Sequence, residues 1–184
     1  MLFTPLGPAG AMQIDLDAHA DDRGFFARTF CAREFEAQGL PGDFPQCNLS
    51  HNARAGTLRG VHYNHPPFEE AKLVRCVRGA VYDVIVDLRP GSPTHLEWVG
   101  IELSAENGRA VFVPKGFAHG FVTLSDATDV FYHMDSVFQP NAARGFRYND
   151  PSFKIQWPIA PRVISERDAS YPDFDPTSWG ARDD

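Results

Sequence analysis

Hydrophobic and polar residues alternate in short runs along most of the chain, and residues that turn the backbone separate the runs. Residues 12–16 (MQIDL) alternate as a strand does, residues 20–24 (ADDRG) form a charged turn, and residues 25–30 (FFARTF) read as another strand. Residues 32–39 (AREFEAQG) carry the one convincing helical signal, with Gly39 in the stop position. Alternation returns at 44–51 (FPQCNLSH). The β-rich runs 72–77 (KLVRCV) and 81–88 (VYDVIVDL) flank Arg78-Gly79-Ala80, which predicts a tight hairpin. Residues 96–103 (LEWVGIEL) and 109–113 (RAVFV) flank Asn107-Gly108, the strongest short hairpin signal in the chain. After the turn Pro114-Lys115-Gly116, strands are predicted at 119–124 (HGFVTL) and 129–134 (DVFYHM). From Gln139 onward proline, glycine and asparagine become frequent; residues 150–161 read as a loop, ahead of ISERD at 164–168 and a Pro/Asp-rich end. Many short strands, no repeat and no long amphipathic helices predict an all-β fold, a β-barrel or jelly roll.

Composition narrows this picture. A length of 184 residues with 43% hydrophobic and 22% charged residues suits one soluble domain over 1–184, with 173–184 as a tail. Fifteen phenylalanines predict a core filled by aromatic rings. The net charge of −7 argues against nucleic acid and anionic membranes as partners. Cys31, Cys47 and Cys76 have no CxxC or zinc-type spacing and read as buried thiols in a reducing compartment. The start has no basic stretch followed by an apolar one, and no apolar run approaches the ~20 residues of a membrane span, so the expectation is cytoplasmic.

Candidate chemistry concentrates in residues 57–72 (TLRGVHYNHPPFEEAK). Arg59 offers a planar fork for phosphate or carboxylate, His62 a proton equilibrium close to neutral pH, and Lys72 a compact cation for a developing oxyanion. Together they suggest acid–base chemistry. A metal reading competes with it. Residues 62 and 64 share a strand face, but position 64 is asparagine and His65 points the other way. Glu69 and Glu70 lie beyond Pro66-Pro67, leaving His62 and His119, one short of the three protein ligands usual in catalytic zinc sites.

The blocks DDRGFFARTF, QCNLS, LRGVHY, AKLVRCVRGAVYDVIVDLR, GSPT, VPKGFAHGF, RGFRYNDP and SERD resemble, in this order, the dTDP-4-dehydrorhamnose 3,5-epimerase family. The resemblance runs from about Asp21 to about Pro172. It implies a cupin-type double-stranded β-helix, a homodimer with exchanged N-terminal strands, no metal and no cofactor. The implied substrate is a nucleotide-diphosphate 4-keto-6-deoxy sugar, epimerised at C3 and C5 through an enolate. Position by position, His62 resembles the base, Asp168 its orienting carboxylate, Lys72 the enolate stabiliser and Tyr132 the general acid. Arg23, Phe26, Arg28, Gln46, Asn48, Arg59, His119 and Phe138 resemble groups around the sugar and the nucleotide.

Two positions depart from the family. Phe138 stands where many members have a second tyrosine, six residues after the acid, and a phenyl ring donates no proton. Arg28 stands where many have glutamate near the nucleotide base, so the identity of the nucleotide stays open. Plainer readings exist as well. Arg23 can simply pair with Asp21 or Asp22, His119 can be a structural hydrogen-bonder, Tyr132 and Phe138 can be packing, and Asp168 can be a turn carboxylate. His51, His65, His95 and His133 read as incidental. The alternatives are therefore a single-carbon epimerase and, from another class, a sugar-nucleotide-binding cupin without turnover. A cupin ketoisomerase fits less well, because Asn64 replaces the second histidine of a pair.

Overall fold

A computed structural model describes residues 1–179. Along the chain run β1 (Leu2–Pro5), β2 (Met12–Asp15), β3 (His19–Asp21), β4 (Gly24–Phe26), α1 (Ala32–Glu36), β5 (Gln46–Asn52), β6 (Leu58–Asn64), β7 (Lys72–Arg78) and β8 (Ala80–Asp87). There follow β9 (Trp98–Ser104), β10 (Ala110–Val113), β11 (Phe117–Thr123), β12 (Thr128–Met134), β13 (Ala143–Gly145) and α2 (Glu166–Ser170). One sheet has the order β1-β2-β10-β7-β12-β5 and the second β13-β6-β11-β8-β9, and every pairing between these strands is antiparallel.

From β5 to β13 the chain changes sheet at every connection except β8–β9, which are paired neighbours. This is the double-stranded β-helix, or jelly roll. It corrects both hairpins expected from local signals. Gly79 links β7 to β8 and Asn107-Gly108 links β9 to β10, but each pair belongs to different sheets. Both turns form where these residues predict them, but the strands they join lie in opposite sheets: β7 pairs with β10 and β12, β8 with β9 and β11, and β10 with β2 and β7. Within residues 57–72, β6 is a full interior strand, paired with β13 on one side and β11 on the other. The strand expected at 25–30 ends at Phe26.

Period-two alternation sorts the side chains into layers. Val74, Cys76, Val81, Ile85, Leu103, Val111 and Val130 fill the space between the sheets. The phenylalanines sit mostly outside it. Phe30, Phe35 and Phe44 meet edge to face, on the cluster containing Leu73 and Phe112. Phe146, Phe153 and Phe174 pack with Val84 and Val86 on the second sheet. Most of the aromatic packing is thus in two flanking cores, while the largely aliphatic barrel interior holds Phe117 and Phe121. Phe174 is buried, so the segment expected as a tail from residue 173 packs on the domain, and residues 180–184 of that tail lie outside the described residues. The cysteines are all free, but only Cys76 is buried; Cys31 is half-buried and Cys47 exposed, since the outer side of edge strand β5 faces solvent.

Candidate active site

The apolar filling of the barrel gives way to polar side chains at one mouth. There, alternation on β5, β6, β7, β11 and β12 turns Gln46, Asn48, His62, Lys72, His119 and Tyr132 inward. They line two adjoining cavities of about 500 and 520 Å³. His62, Lys72 and Tyr132 belong to both, whereas Arg59, His119 and Asp168 line the first and Gln46, Asn48 and Phe138 the second.

His62 and His119 are direct cross-strand partners on β6 and β11. Beyond them the register shifts, with an extra residue on β6 at Gly60–Val61. Such a bulge leaves backbone groups out of the ladder. The freed N–H of Gly60 donates to Asp168 Oδ2 at 3.2 Å. Gly60 has a φ of 124°, and a Cβ there would lie 2.6 Å from the Cα of Gly120, so only glycine fits where β6 and β11 approach.

Asp168 reaches the site from α2. Ser165 caps that helix, its Oγ accepting the N–H of Asp168 at 3.0 Å, and this places the carboxylate over the bulge. Asp168 Oδ1 lies 2.7 Å from His62 Nε2. Burial pushes the Asp168 pKa up, but the His62 hydrogen bond and charge, with the Gly60 and Ser165 bonds, outweigh it and hold the carboxyl below its ordinary value. An ionised carboxylate only accepts, so Nε2 carries the proton and the lone pair of the neutral ring sits on Nδ1. Such a ring can take a proton at Nδ1. Asp168 is therefore no turn carboxylate.

His119 Nε2 forms a second such pair, 2.8 Å from Asp83 Oδ2, with Asp83 fully buried. Arg59 Nε donates to Asn52 Oδ1 at 2.8 Å and its Nη2 to the His51 carbonyl at 3.3 Å, which pins the guanidinium at the first cavity. Gln46 Oε1 accepts the Phe138 N–H at 2.9 Å, and Asn48 Nδ2 lies 3.0 Å from Met134 Sδ. Among the described residues no three His, Cys, Asp or Glu side chains cluster to hold a metal ion.

Three expected residues stand apart from both cavities. Arg23 pairs with Asp21 at 2.5 Å on the exposed β3–β4 hairpin, Phe26 is 77% exposed on the same hairpin, and Arg28 pairs with Glu34 at 2.5 Å. Several lining residues fall outside the expected site. Arg167 lines both cavities beside Asp168, Glu70, weighed only as a metal ligand, lines the second, and His51, expected to be incidental, lines the first. The Ser-x-x-Asp helix cap at 165–168 was the signal for Arg167.

A jelly-roll barrel with a carboxylate-oriented imidazole, a cation and a phenol around one cavity defines a cupin-type enzyme of proton transfer. Comparison with known proteins makes this specific. A profile of the dTDP-4-dehydrorhamnose 3,5-epimerase family matches residues 6–176, and the chain belongs to that family. It is 49% identical over 151 residues to the dTDP-4-dehydrorhamnose 3,5-epimerase of Pseudomonas aeruginosa, covering 80% of this chain and 82% of the relative. A crystal structure of the Bacillus anthracis enzyme of that name, with TDP and pyrophosphate bound, superposes with a TM-score of 0.91 at 39% identity, covering 94% of this chain and 99% of the other. A dTDP-4-dehydrorhamnose 3-epimerase of Streptomyces niveus is 40% identical over 169 residues, 91% of this chain and 81% of the relative.

Proposed function

We propose that the protein epimerises C3 and C5 of a dTDP-linked 4-keto-6-deoxyhexose, of the dTDP-4-dehydro-6-deoxyglucose to dTDP-4-dehydrorhamnose type. The observation that carries the reading is the His62–Asp168 pair, which leaves Nδ1 as a base in a cavity that also holds Lys72 and Tyr132. The C4 carbonyl acidifies the C–H bonds on either side of it. His62 Nδ1 removes one of these protons, and Asp168 stabilises the imidazolium that forms. Lys72 faces the negative charge that moves onto the C4 oxygen, an electrostatic role that is often the largest contribution. Tyr132 returns a proton to the opposite face, a transfer typically contributing about 10²–10⁴-fold. Gln46, Asn48, Arg59 and His119 hold the sugar and diphosphate.

Phe138 favours a second reading, inversion at one carbon only. It lines the second cavity, is 57% exposed, and places a ring without a proton donor there. The 40% identity to a 3-epimerase supports the same alternative. Proton NMR of dTDP-4-keto-6-deoxyglucose with the protein in D₂O separates the possibilities. Deuterium at C3 and C5 supports the double epimerase, deuterium at C3 alone the single one. No exchange with bound sugar nucleotide would leave a binding protein.

We further propose a homodimer. All six residues of β3 and β4 are exposed, Phe25 and Phe26 by 63% and 77%, and an isolated two-stranded hairpin is marginal in water. Seated on a second copy, the hairpin would bring Arg23, Phe26 and the nearby Arg28 towards the partner's nucleotide. Light scattering that returns a monomer at working concentration would overturn this. No helix among the described residues is long and apolar enough to cross a membrane, and the free thiols support the cytoplasm as the compartment.

A further inference from the structure

Lys72 opens β7, and the residue two before it along the extended chain shares its face. That residue is Glu70. Its Oε1 lies 3.0 Å from Lys72 Nζ, and the two side chains are only 9% and 16% exposed. Both line the second cavity and the small void beneath it, which His119 and Tyr63 also border. The approach to the pair is fixed. The N–H of Ala71 donates to Asp135 Oδ1 at 2.8 Å, and the N–H of Asp135 returns a bond to the Ala71 carbonyl at 3.1 Å. Asp135 is itself held to Lys115 at 3.1 Å. The backbone between Glu70 and Lys72 is thereby bolted to the end of β12, so the carboxylate has little freedom to leave the ammonium.

Such a partner makes a lysine a better preorganised oxyanion donor. Its charge rides on a flexible four-carbon stem with three rotatable donors, whereas a preorganised donor must already sit where charge will develop. A carboxylate that takes one N–H fixes the direction of the other two. From this juxtaposition we infer that Glu70 is a positioning residue that sets the Lys72 ammonium against the C4 oxygen; the role at C4 rests on the function proposed above. Glu70 does not itself touch the reacting atoms.

The test uses Glu70→Ala, Glu70→Gln, Lys72→Ala and the Glu70→Ala/Lys72→Ala pair, with deuterium wash-in from dTDP-4-keto-6-deoxyglucose and TDP affinity as readouts. Because misplacing a catalytic group by about 1 Å costs about 10²-fold, Glu70→Ala should lose roughly 10- to 100-fold in kcat with TDP binding unchanged. Glu70→Gln keeps an acceptor at the same place and should recover most of the rate. In the Lys72→Ala background, Glu70→Ala should cost almost nothing more, as expected of residues that act as a unit. Wild-type exchange in Glu70→Ala, or independent losses that multiply in the double variant, would overturn the inference.

A second measurement does not depend on the substrate. The chain has three lysines, Lys72, Lys115 and Lys154, so amine acetylation followed by peptide mass spectrometry reads Lys72 against two exposed controls. Lys72 should react several-fold faster relative to Lys115 in Glu70→Ala than in wild type, with Glu70→Gln in between. Equal reactivity in all three proteins would show that Glu70 does not hold the lysine. Should the wild-type protein fail to exchange the keto sugar, the function proposed above fails while this result still decides the coupling.

Discussion

Replacing Asp168 with asparagine removes one charge and almost no volume, and so tests the acid–base reading at its most specific point. The carboxylate lies 2.7 Å from His62 Nε2 and is 6% exposed. In the proposed reaction Nδ1 takes a substrate proton, and the new imidazolium would face that carboxylate. Opposite unit charges about 4 Å apart attract by about 4 kcal/mol at an effective dielectric near 20. His62 is 36% exposed, so solvent screens part of this. A loss of roughly 2–3 kcal/mol remains, which corresponds to a kcat lower by about 30- to 160-fold. A carboxamide can also turn its NH₂ toward the ring and move the imidazole proton to Nδ1, which removes the base altogether. The assay is deuterium wash-in at C3 and C5 under saturating dTDP-4-keto-6-deoxyglucose, with TDP affinity as the control for folding. TDP binding should stay within about twofold while exchange collapses. An Asp168→Asn protein exchanging within about threefold of wild type would refute the pair as part of the reaction.

Tyr132→Phe should slow product formation more than deuterium wash-in at the carbon first deprotonated, because proton abstraction precedes the acid step; equal slowing of both would remove Tyr132 from the acid role. Gly60→Ala puts a Cβ 2.6 Å from the Gly120 Cα at a φ of 124°, and should cost roughly 1–3 kcal/mol in denaturant unfolding while disturbing the Gly60–Asp168 bond. Asp87 gives the pH prediction. Burial alone raises its pKa, but hydrogen bonds from Arg89, Ser92 and Thr94 overcome this and take it to about 2 from an ordinary 3.8. A depressed pKa contributes stability that is complete above about pH 4 and is lost as pH falls toward 2, here about 2 kcal/mol. Thermal melts of Asp87→Asn should therefore be lower at pH 7 and flatter than wild type between pH 4 and 2.

Much of the fold was legible because strand periodicity is local and most of these strands bury one or both faces. Residues 129–134 and 81–88 alternate or run apolar as their sheets require, and β12 and β8 fall where expected. What local signals cannot carry is the partner of each strand. Asn107-Gly108 turns the chain whether the next strand pairs beside β9 or crosses to the other sheet, and here it crosses. The crossing depends on covering both sheets, which residues 30–44 and 146–174 do from outside. Nothing near residue 107 encodes that.

The site divides the same way. His62 and Lys72 were legible from residue chemistry, since an imidazole and a cation close together in a β-rich chain invite an acid–base reading. Asp168 and Tyr132 came only through ordered blocks that resemble a family, because the contacts that define them span the chain: Asp168 meets a histidine 106 residues earlier. Arg23, Phe26 and Arg28 show the converse. The resemblance attached them to the pocket, but in a single chain they stand on or beside an exposed hairpin, two of them paired with neighbouring carboxylates. Both facts agree if those residues serve a second copy, since a group that completes a partner's site has no reason to meet its own. Glu70 was weighed only as a metal ligand because, in sequence, it is one of two adjacent glutamates after a proline pair. Only the strand register and the Ala71–Asp135 tie turn it, and not Glu69, toward Lys72. The residues least visible to sequence patterns are thus those whose partners are fixed by backbone held elsewhere, as Glu70 is beside Lys72.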